Sequence, residues 1–283
     1  MLSVTMYGRF GNQLWQYAVC RTVAEKRGFS YHIPREFQNY FGCTMGDHQE
    51  IIQRHFPSAN NHDHIQRYDP KIFEIEDGTK IDGYHQAEKY ILDNRENILN
   101  WFRIPQFTEL YTEVGLDSNT CVINFRGGDY SRIPHVFLHK KFWDDSIERM
   151  KEIKDGVRFI VVTDDPGLAS EFFPNLPIYH FGIMQDLYLV SKAEYLIIAN
   201  STFSWWGAWL NENTKMTIAP KYWMRYNVSD GWWSPSDSLT TRFHYVDRDG
   251  KFQSYEECLL EIDEEYNYFD HYHFDFKTKN PIE

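Results

Sequence analysis

The 283-residue chain is short of anything that would staple it or anchor it. Its four cysteines, Cys20, Cys43, Cys121 and Cys258, lie far apart, with no Cys-x-x-Cys and no Cys/His cluster. That argues against structural zinc, and a chain of this length does not need a disulfide framework; reduced, buried thiols are expected. No apolar run approaches the roughly 18 residues of a membrane span. The segment Met1-Leu-Ser-Val-Thr-Met-Tyr7 lacks the basic and apolar stretches of a signal peptide, so a cytoplasmic protein is expected, at most peripheral to the inner membrane. Positive charge is also scarce. The 29 Lys and Arg against 41 Asp and Glu give a net charge of −12, which argues against a broad nucleic-acid face and against charge-driven adhesion to anionic membrane. A phosphorylated ligand would need cations held locally.

What the chain does have is an ordinary globular balance, 42% hydrophobic and 25% charged, with an unusual 17% of aromatics. Most of these rings are expected in the core, and some exposed ones would suit stacking on a sugar or base. Leu2 to Met6 reads as a strand, Gly8-Arg-Phe-Gly-Asn-Gln13 as a turn, and Leu14 to Lys26 as a helix with apolar residues at helical spacing. Strand, glycine turn and helix open a nucleotide-type βα unit, although Gly8 and Gly11 alone are a weak signal. Residues 35 to 80 read as irregular and polar, and His62-Asp-His64 there as a surface loop rather than a metal fragment. A helix is expected from the Gly83–Tyr90 region to Trp101, followed by a junction over 106 to 119.

Beyond that junction strands and helices alternate. Strands are expected at Cys121–Phe125, Arg158–Val162, Pro177–Phe181 and Tyr195–Ala199. Helices are expected within Phe137–Lys154, over Pro166–Phe173 and over Gln185–Lys192. This alternation implies a parallel sheet covered on both faces. Three strands end in polar clusters: Arg126-Gly-Gly-Asp-Tyr130, Thr163-Asp-Asp-Pro166 and Asn200-Ser-Thr-Phe-Ser204. In a doubly wound sheet these ends converge on one crevice. An arginine suits bidentate capture of phosphate, and hydroxyls beside a free helix start favour the same ligand. Carboxylates can accept from guanine N–H groups. The pattern suggests a nucleotide-diphosphate site. Asp247-Arg-Asp249 reads as a solvated turn, and Tyr255–Asp263 as an acidic helix.

Four segments resemble the inverting fucosyltransferases that use GDP-fucose, in particular the bacterial α-1,2-fucosyltransferases of glycosyltransferase family 11. They are Gly8-Arg-Phe-Gly-Asn-Gln-Leu-Trp-Gln-Tyr-Ala18, Asp82-Gly-Tyr-His-Gln-Ala-Glu-Lys-Tyr90, Val122-Ile-Asn-Phe-Arg-Gly-Gly-Asp-Tyr130, and the run from Asp186-Leu-Tyr-Leu-Val-Ser to Trp209-Leu-Asn211 containing Asn200-Ser-Thr-Phe-Ser-Trp-Trp-Gly-Ala-Trp-Leu210. Order and spacing match from residue 2 to about 223. The resemblance implies an α/β protein of the GT-B type, with two Rossmann-like domains whose parallel sheets face each other across a cleft. The expected division is 1–115 on the acceptor side and 116–283 for the GDP-sugar. It implies transfer of fucose from GDP-fucose to a glycan acceptor of lipopolysaccharide or capsule biosynthesis. No metal, no cofactor and no nucleic-acid partner are expected.

By the same resemblance Arg126 would bind the β-phosphate, Asp186 would face guanine, and Ser201 and Thr202, with Phe203 beside them, would hold phosphate oxygens. Asp164 and Asp165 would form an acidic pair near the donor, unless they simply cap the helix at Pro166. Asn12 would stand at the reacting end. Asp129 is a candidate base, but a partner holding Arg126 is the favoured reading of it. Trp205, Trp206 and Trp209 are expected in the core. Two positions depart from the family pattern. Asn124 stands for its histidine and is expected to keep a nucleotide contact, and Gly127 stands for its second arginine, so another GDP-sugar donor or linkage stays open. So does a nucleotide- or glycan-binding protein without turnover.

Overall fold

A computed structural model describes residues 1–47, 52–57, 68–134, 136–223 and 239–261, together with a small strand pair at Phe274–Asp275 and Asn280–Pro281. The opening βα unit is present as β1 (Leu2–Val4) and α1 (Phe10–Arg27). Helix α1 ends where Gly28 takes a left-handed conformation, which costs a residue without Cβ nothing. β1 lies between β2 (Tyr31–His32) and β4 (Thr79–Asp82), with β3 (Arg54–Pro57) at the far edge. All pairings in this four-stranded sheet are parallel.

Residues 35 to 80 are therefore not wholly irregular. β3 and β4 are short, and β3 is an edge strand with Arg54 and His55 exposed. Their composition carries no apolar run, because only one face of β4 is buried. His62 and His64 lie outside the described residues. The helix expected up to Trp101 is broken into two 3-10 turns, Glu88–Tyr90 and Leu92–Asn94, before α2 (Arg95–Trp101). A short helix, α3 (Glu109–Val114), stands in the junction.

The second half alternates as expected: β5 (Thr120–Phe125), α4 (Lys140–Ile153), β6 (Arg158–Thr163), α5 (Pro166–Phe172), β7 (Ile178–Tyr179), α6 (Ile183–Lys192), β8 (Tyr195–Ile198) and α7 (Thr202–Trp209). Three strands beyond residue 210 were not foreseen: β9 (Met216–Pro220), β10 (His244–Val246) and β11 (Phe252–Gln253). The sheet order is β11-β10-β9-β8-β5-β6-β7, parallel except for the β10–β11 hairpin. Relabelled from β5, this is the doubly wound order 3-2-1-4-5-6 with one added edge strand, and β5 and β8 flank its switch point. The hairpin turn is the Asp247-Arg-Asp249 segment, where the Asp247 carboxylate accepts from the backbone N–H groups of Asp249 and Lys251, each at 2.9 Å. All four cysteines are free and buried.

The two sheets thus belong to two α/β units facing across a cleft, the arrangement of a GT-B fold. They are joined by α1 lying on α7. Trp15 stacks its ring 4.4 Å from that of Trp205 and 4.9 Å from that of Trp206. The three tryptophans of α7 are buried, as expected of core residues. At the far end of α7, the Trp209 indole N–H donates to the Glu88 carboxylate at 2.7 Å, and the Thr240 hydroxyl donates to the same oxygen at 2.9 Å. At the near end the helices touch backbone to backbone. A Cβ on Gly11 would lie 2.5 Å from the Phe203 nitrogen and 2.6 Å from the Thr202 hydroxyl.

Gly11→Ala therefore tests the joint. Inside an unobstructed helix this change would stabilise by up to about 1 kcal/mol. Here overpacking should prevail, at a net cost of about 1–3 kcal/mol and several degrees of melting temperature. A thermal melt in which the variant equals or exceeds the wild type would show that the two helices do not depend on this contact.

Candidate active site

A cleft of about 660 Å³ opens between the units, within the roughly 300–1,000 Å³ common for small-ligand sites. It lies where the strand ends of the large sheet converge. Asn124, Phe125 and Arg126 come from the end of β5, Thr163 and Asp164 from β6, and Ser201 to Ser204 from the start of α7. Gly8 to Asn12 close it from the small sheet. Of the candidate residues, only Asp165 stands outside the lining.

Arg126 is the best-held cation of this cleft. One terminal nitrogen donates to Asp129 Oδ1 at 2.6 Å, and the other meets Asp164 Oδ2 at 2.5 Å. Its side chain is only 17% exposed, and the guanidinium lies over the Tyr130 ring at 5.1 Å. Nε is buried without a partner among the described residues. With one N–H of each terminal nitrogen turned to a carboxylate, three of the five guanidinium donors remain. Asp164 is fixed in turn by the Gly127 N–H at 3.0 Å. Asp129 also pairs with Arg9, from the other unit, at 3.3 Å. Asp129 Oδ1 is thus shared by two guanidiniums, and it holds Arg126 in place.

Two carboxylates beside Arg126 leave little net positive charge in side chains. Helix ends supply the rest. α1 and α7 both start at the cleft, neither has a side-chain cap, and neither carries an acidic residue in its first turn. Each helix start is worth about half a positive charge and presents unpaired N–H groups. Two uncapped N-termini and a clamped arginine on one crevice suit an anion with several oxygens. Ser201 is the N-cap residue of α7, and the Thr202 hydroxyl donates to Asn12 Oδ1 at 2.8 Å. Asn12 Oδ1 accepts also from Gln86 at 3.0 Å.

Three of the candidates have polar groups engaged within the protein. Asp165 does not pair with Asp164 at a donor; its carboxylate accepts from the Leu168 N–H at 3.1 Å and caps α5, with Pro166 at the first helical position. Asn124 is not a free contact, because its amide donates to the Val162 carbonyl at 3.0 Å and accepts from the Ser204 hydroxyl at 2.5 Å. It braces β5 against β6 and α7. Asp186 turns both oxygens to its own chain, to His180 Nδ1 at 2.8 Å and to the Phe181 N–H at 3.0 Å. Burial raises its pKa, and these hydrogen bonds oppose that shift. Asp186 and His180 both line the cleft. Sequence reasoning missed Arg9, Tyr130, His180 and Ser204 as lining residues. Arg9 lay inside a quoted motif, but nothing in its spacing shows that it crosses to Asp129.

The segment carrying Gln86 is itself constrained. His85 has φ of 51°, the only positive φ at a non-glycine residue among the described residues, and is buried. Its Nε2 has no partner, and burial lowers its pKa to about 4.

A family model described as Glycosyl transferase family 11 matches residues 1–230. An O-antigen biosynthesis glycosyltransferase, WbnK, of Escherichia coli is 30% identical over 167 residues, 54% of each chain. An α-1,2-colitosyltransferase of Escherichia coli is 34% identical over 158 residues, 50% of this chain and 54% of that protein. The chain thus spans about half the length of the curated relatives it matches. Among solved structures, the fucosyltransferase NodZ from Bradyrhizobium is 16% identical with a TM-score of 0.43, over 73% of this chain and 90% of that one. No helix of the described residues is long and apolar enough to cross a membrane.

The neutral, buried His85 makes stability pH-dependent. Unfolded, the ring titrates near 6.5; folded, near 4. Between these values the unfolded chain binds a proton that the folded chain does not, so stability falls as pH drops through the window, by up to roughly 3 kcal/mol. His85→Asn, which tolerates positive φ, should flatten the fall seen by urea unfolding at pH 7 and pH 4.5. An undiminished fall would mean that other groups carry it.

Proposed function

The chain belongs to glycosyl transferase family 11, and from that premise we propose that it transfers L-fucose from GDP-β-L-fucose, with inversion and without a metal, to O2 of a galactoside in a cell-surface glycan precursor. The observation that carries this reading is the convergence of Arg126 with the uncapped starts of α1 and α7 on one crevice. The relatives named above, an O-antigen glycosyltransferase and an α-1,2-colitosyltransferase, agree with it in reaction class. The enzyme would work in the cytoplasm, peripheral to the inner membrane at most, with residues 1–115 receiving the acceptor and 116–283 the GDP-sugar.

In the proposed reaction the acceptor oxygen attacks the anomeric carbon as the bond to the β-phosphate oxygen breaks. The electron pair leaves with GDP, and the sugar passes through an oxocarbenium-like transition state. Charge grows on the β-phosphate, where donors already in place stabilise it without reorganisation. Arg126 aims its remaining N–H groups there, and Asp129 and Asp164 keep it from swinging away. Ser201, Thr202 and Phe203, at the start of α7, take the other phosphate oxygens. Asn12, fixed by Thr202 and Gln86, orients the sugar. The His180–Gly182 turn, shaped by Asp186, lies against the base.

A second reading keeps the reaction and changes the sugar. It is favoured by the colitosyltransferase relative and by Gly127 in place of the family's second arginine. A panel of GDP-sugars with galactose-terminated acceptors, read by mass shift and linkage analysis, separates the two. Turnover should survive EDTA. Arg126→Ala should lower kcat by two to three orders of magnitude, about 3–4 kcal/mol of transition-state stabilisation. Wild-type kcat in that variant would remove the arginine from the mechanism. A pure binding protein would gain melting temperature with GDP and release no sugar.

A further inference from the structure

Four carboxylates at or beside the cleft hold parts of the protein in place. Asp129 Oδ1 is shared by two arginines, Asp164 holds Arg126 and the Gly127 N–H, Asp165 Oδ1 caps α5, and Asp186 holds His180 and the Phe181 N–H. Asp82 stands on the small sheet instead. It is the last residue of β4, half-buried, and its Oδ1 accepts from the Tyr7 hydroxyl at 2.6 Å. β1 and β4 are adjacent parallel strands, so Tyr7 and Asp82 share the carboxyl edge of the small sheet, the edge on which α/β sheets bind ligands. Both are one or a few residues from the cleft wall. Gly8, after Tyr7, lines it, and Gln86, after Asp82, donates to Asn12.

The surroundings suit a sugar. Tyr7 is 40% exposed, one of the few large aromatics left so open, and its ring stands 5.9 Å from that of Tyr84 at 58°. Two tilted rings offer apolar faces to the C–H side of a pyranose, and the carboxylate bound to the Tyr7 hydroxyl accepts from its hydroxyls. We propose that Tyr7, Asp82 and Tyr84 form the saccharide acceptor subsite, and that Asp82 is the base that activates the attacking hydroxyl. The inference rests on the transferase reading above. In the step, the acceptor oxygen bonds to the anomeric carbon, its proton passes to Asp82 Oδ2, and the electron pair of the broken C–O bond departs with GDP. The Tyr7 hydroxyl keeps Oδ1 occupied and the carboxylate oriented. Its hydrogen bond to Asp82, with some burial, raises the tyrosine pKa, so it stays a donor.

The test uses the full chain, a GDP-sugar that the wild type turns over, and its glycan acceptor. Asp82→Asn should cut transfer by roughly 100-fold or more, the usual scale of a general base, and remove the acid limb of the pH–rate profile. GDP-induced thermal stabilisation should stay at the wild-type level. Tyr7→Phe, at an exposed ring that the fold does not need, should raise the acceptor KM about fivefold and leave the donor KM unchanged. Wild-type transfer by Asp82→Asn, or its loss together with GDP stabilisation, would overturn the role. Should Asp82→Asn fail to fold, an unchanged acceptor KM in Tyr7→Phe overturns it instead. A wild type that turns over no GDP-sugar defeats the transferase reading first; a competent wild type with an equally competent Asp82→Asn defeats only this one.

Discussion

The closest approach of α1 and α7, at Gly11, sets the geometry of everything else. Two helices from different α/β units can bring their N-termini to one point only if their first turns nearly touch. Gly11 permits that, because any side chain would enter the Thr202–Phe203 backbone. The tryptophans behind the contact supply the burial that keeps it closed, and Glu88 anchors the far end of α7 through the Trp209 indole. α7 is thus gripped at both ends by the small-sheet unit while growing out of the large one. Helix starts that in most proteins would be capped are instead left facing each other across a crevice.

That arrangement resolves an electrostatic difficulty. On the proposed reading, a chain with net charge −12 gathers an anion at a site whose arginine is already flanked by two aspartates. Held charges do not cancel as free ones do. The aspartates remove the freedom of the guanidinium more than its donors, and the helix starts add dipoles that no mobile side chain has to organise. The glycine at 127 has a local reason as well. A Cβ at Gly127 would lie 2.6 Å from the Asp165 Cβ, so the residue that caps α5 and the absence of a side chain at 127 are one packing decision.

The large sheet was legible because its central strands are short apolar runs with polar ends, and because each is separated by a helix with clear periodicity. The switch-point crevice followed from that alternation. β3 and β4 were hidden, since an edge strand such as Arg54-His-Phe-Pro57 buries too little to print a pattern. β9 and β10 were passed over although largely buried, because Met216-Thr-Ile-Ala-Pro220 mixes in a threonine and ends in proline, and His244–Val246 is only three residues long. At the site, residue types were readable but their partners were not. Asn124, Asp165 and Asp186 all sit near the strand ends where ligands bind, and all three spend their polar groups on the protein itself. Nothing in a linear pattern separates a carboxylate that meets a ligand from one that holds a loop; only the hydrogen-bond partner does.

The same distinction sorts the four motif segments by what they do physically. The 8–18 segment supplies the close approach and Asn12. The 122–130 segment supplies Arg126 and one of its two clamps. The 186–211 run supplies α7 and the turn that Asp186 shapes. The 82–90 segment reaches no strand end of the large sheet, yet it contacts two of the other three: Glu88 meets Trp209, and Gln86 meets Asn12. Its strained His85 comes just before these two contacts, where the chain leaves β4 and turns to let one side chain reach Asn12 and another the far end of α7. A buried ring with an unpaired nitrogen and a positive φ is costly on its own. It persists here because β4 before it and the Gln86 and Glu88 contacts after it fix both ends of the turn, with seven residues of chain between Asp82 and Tyr90.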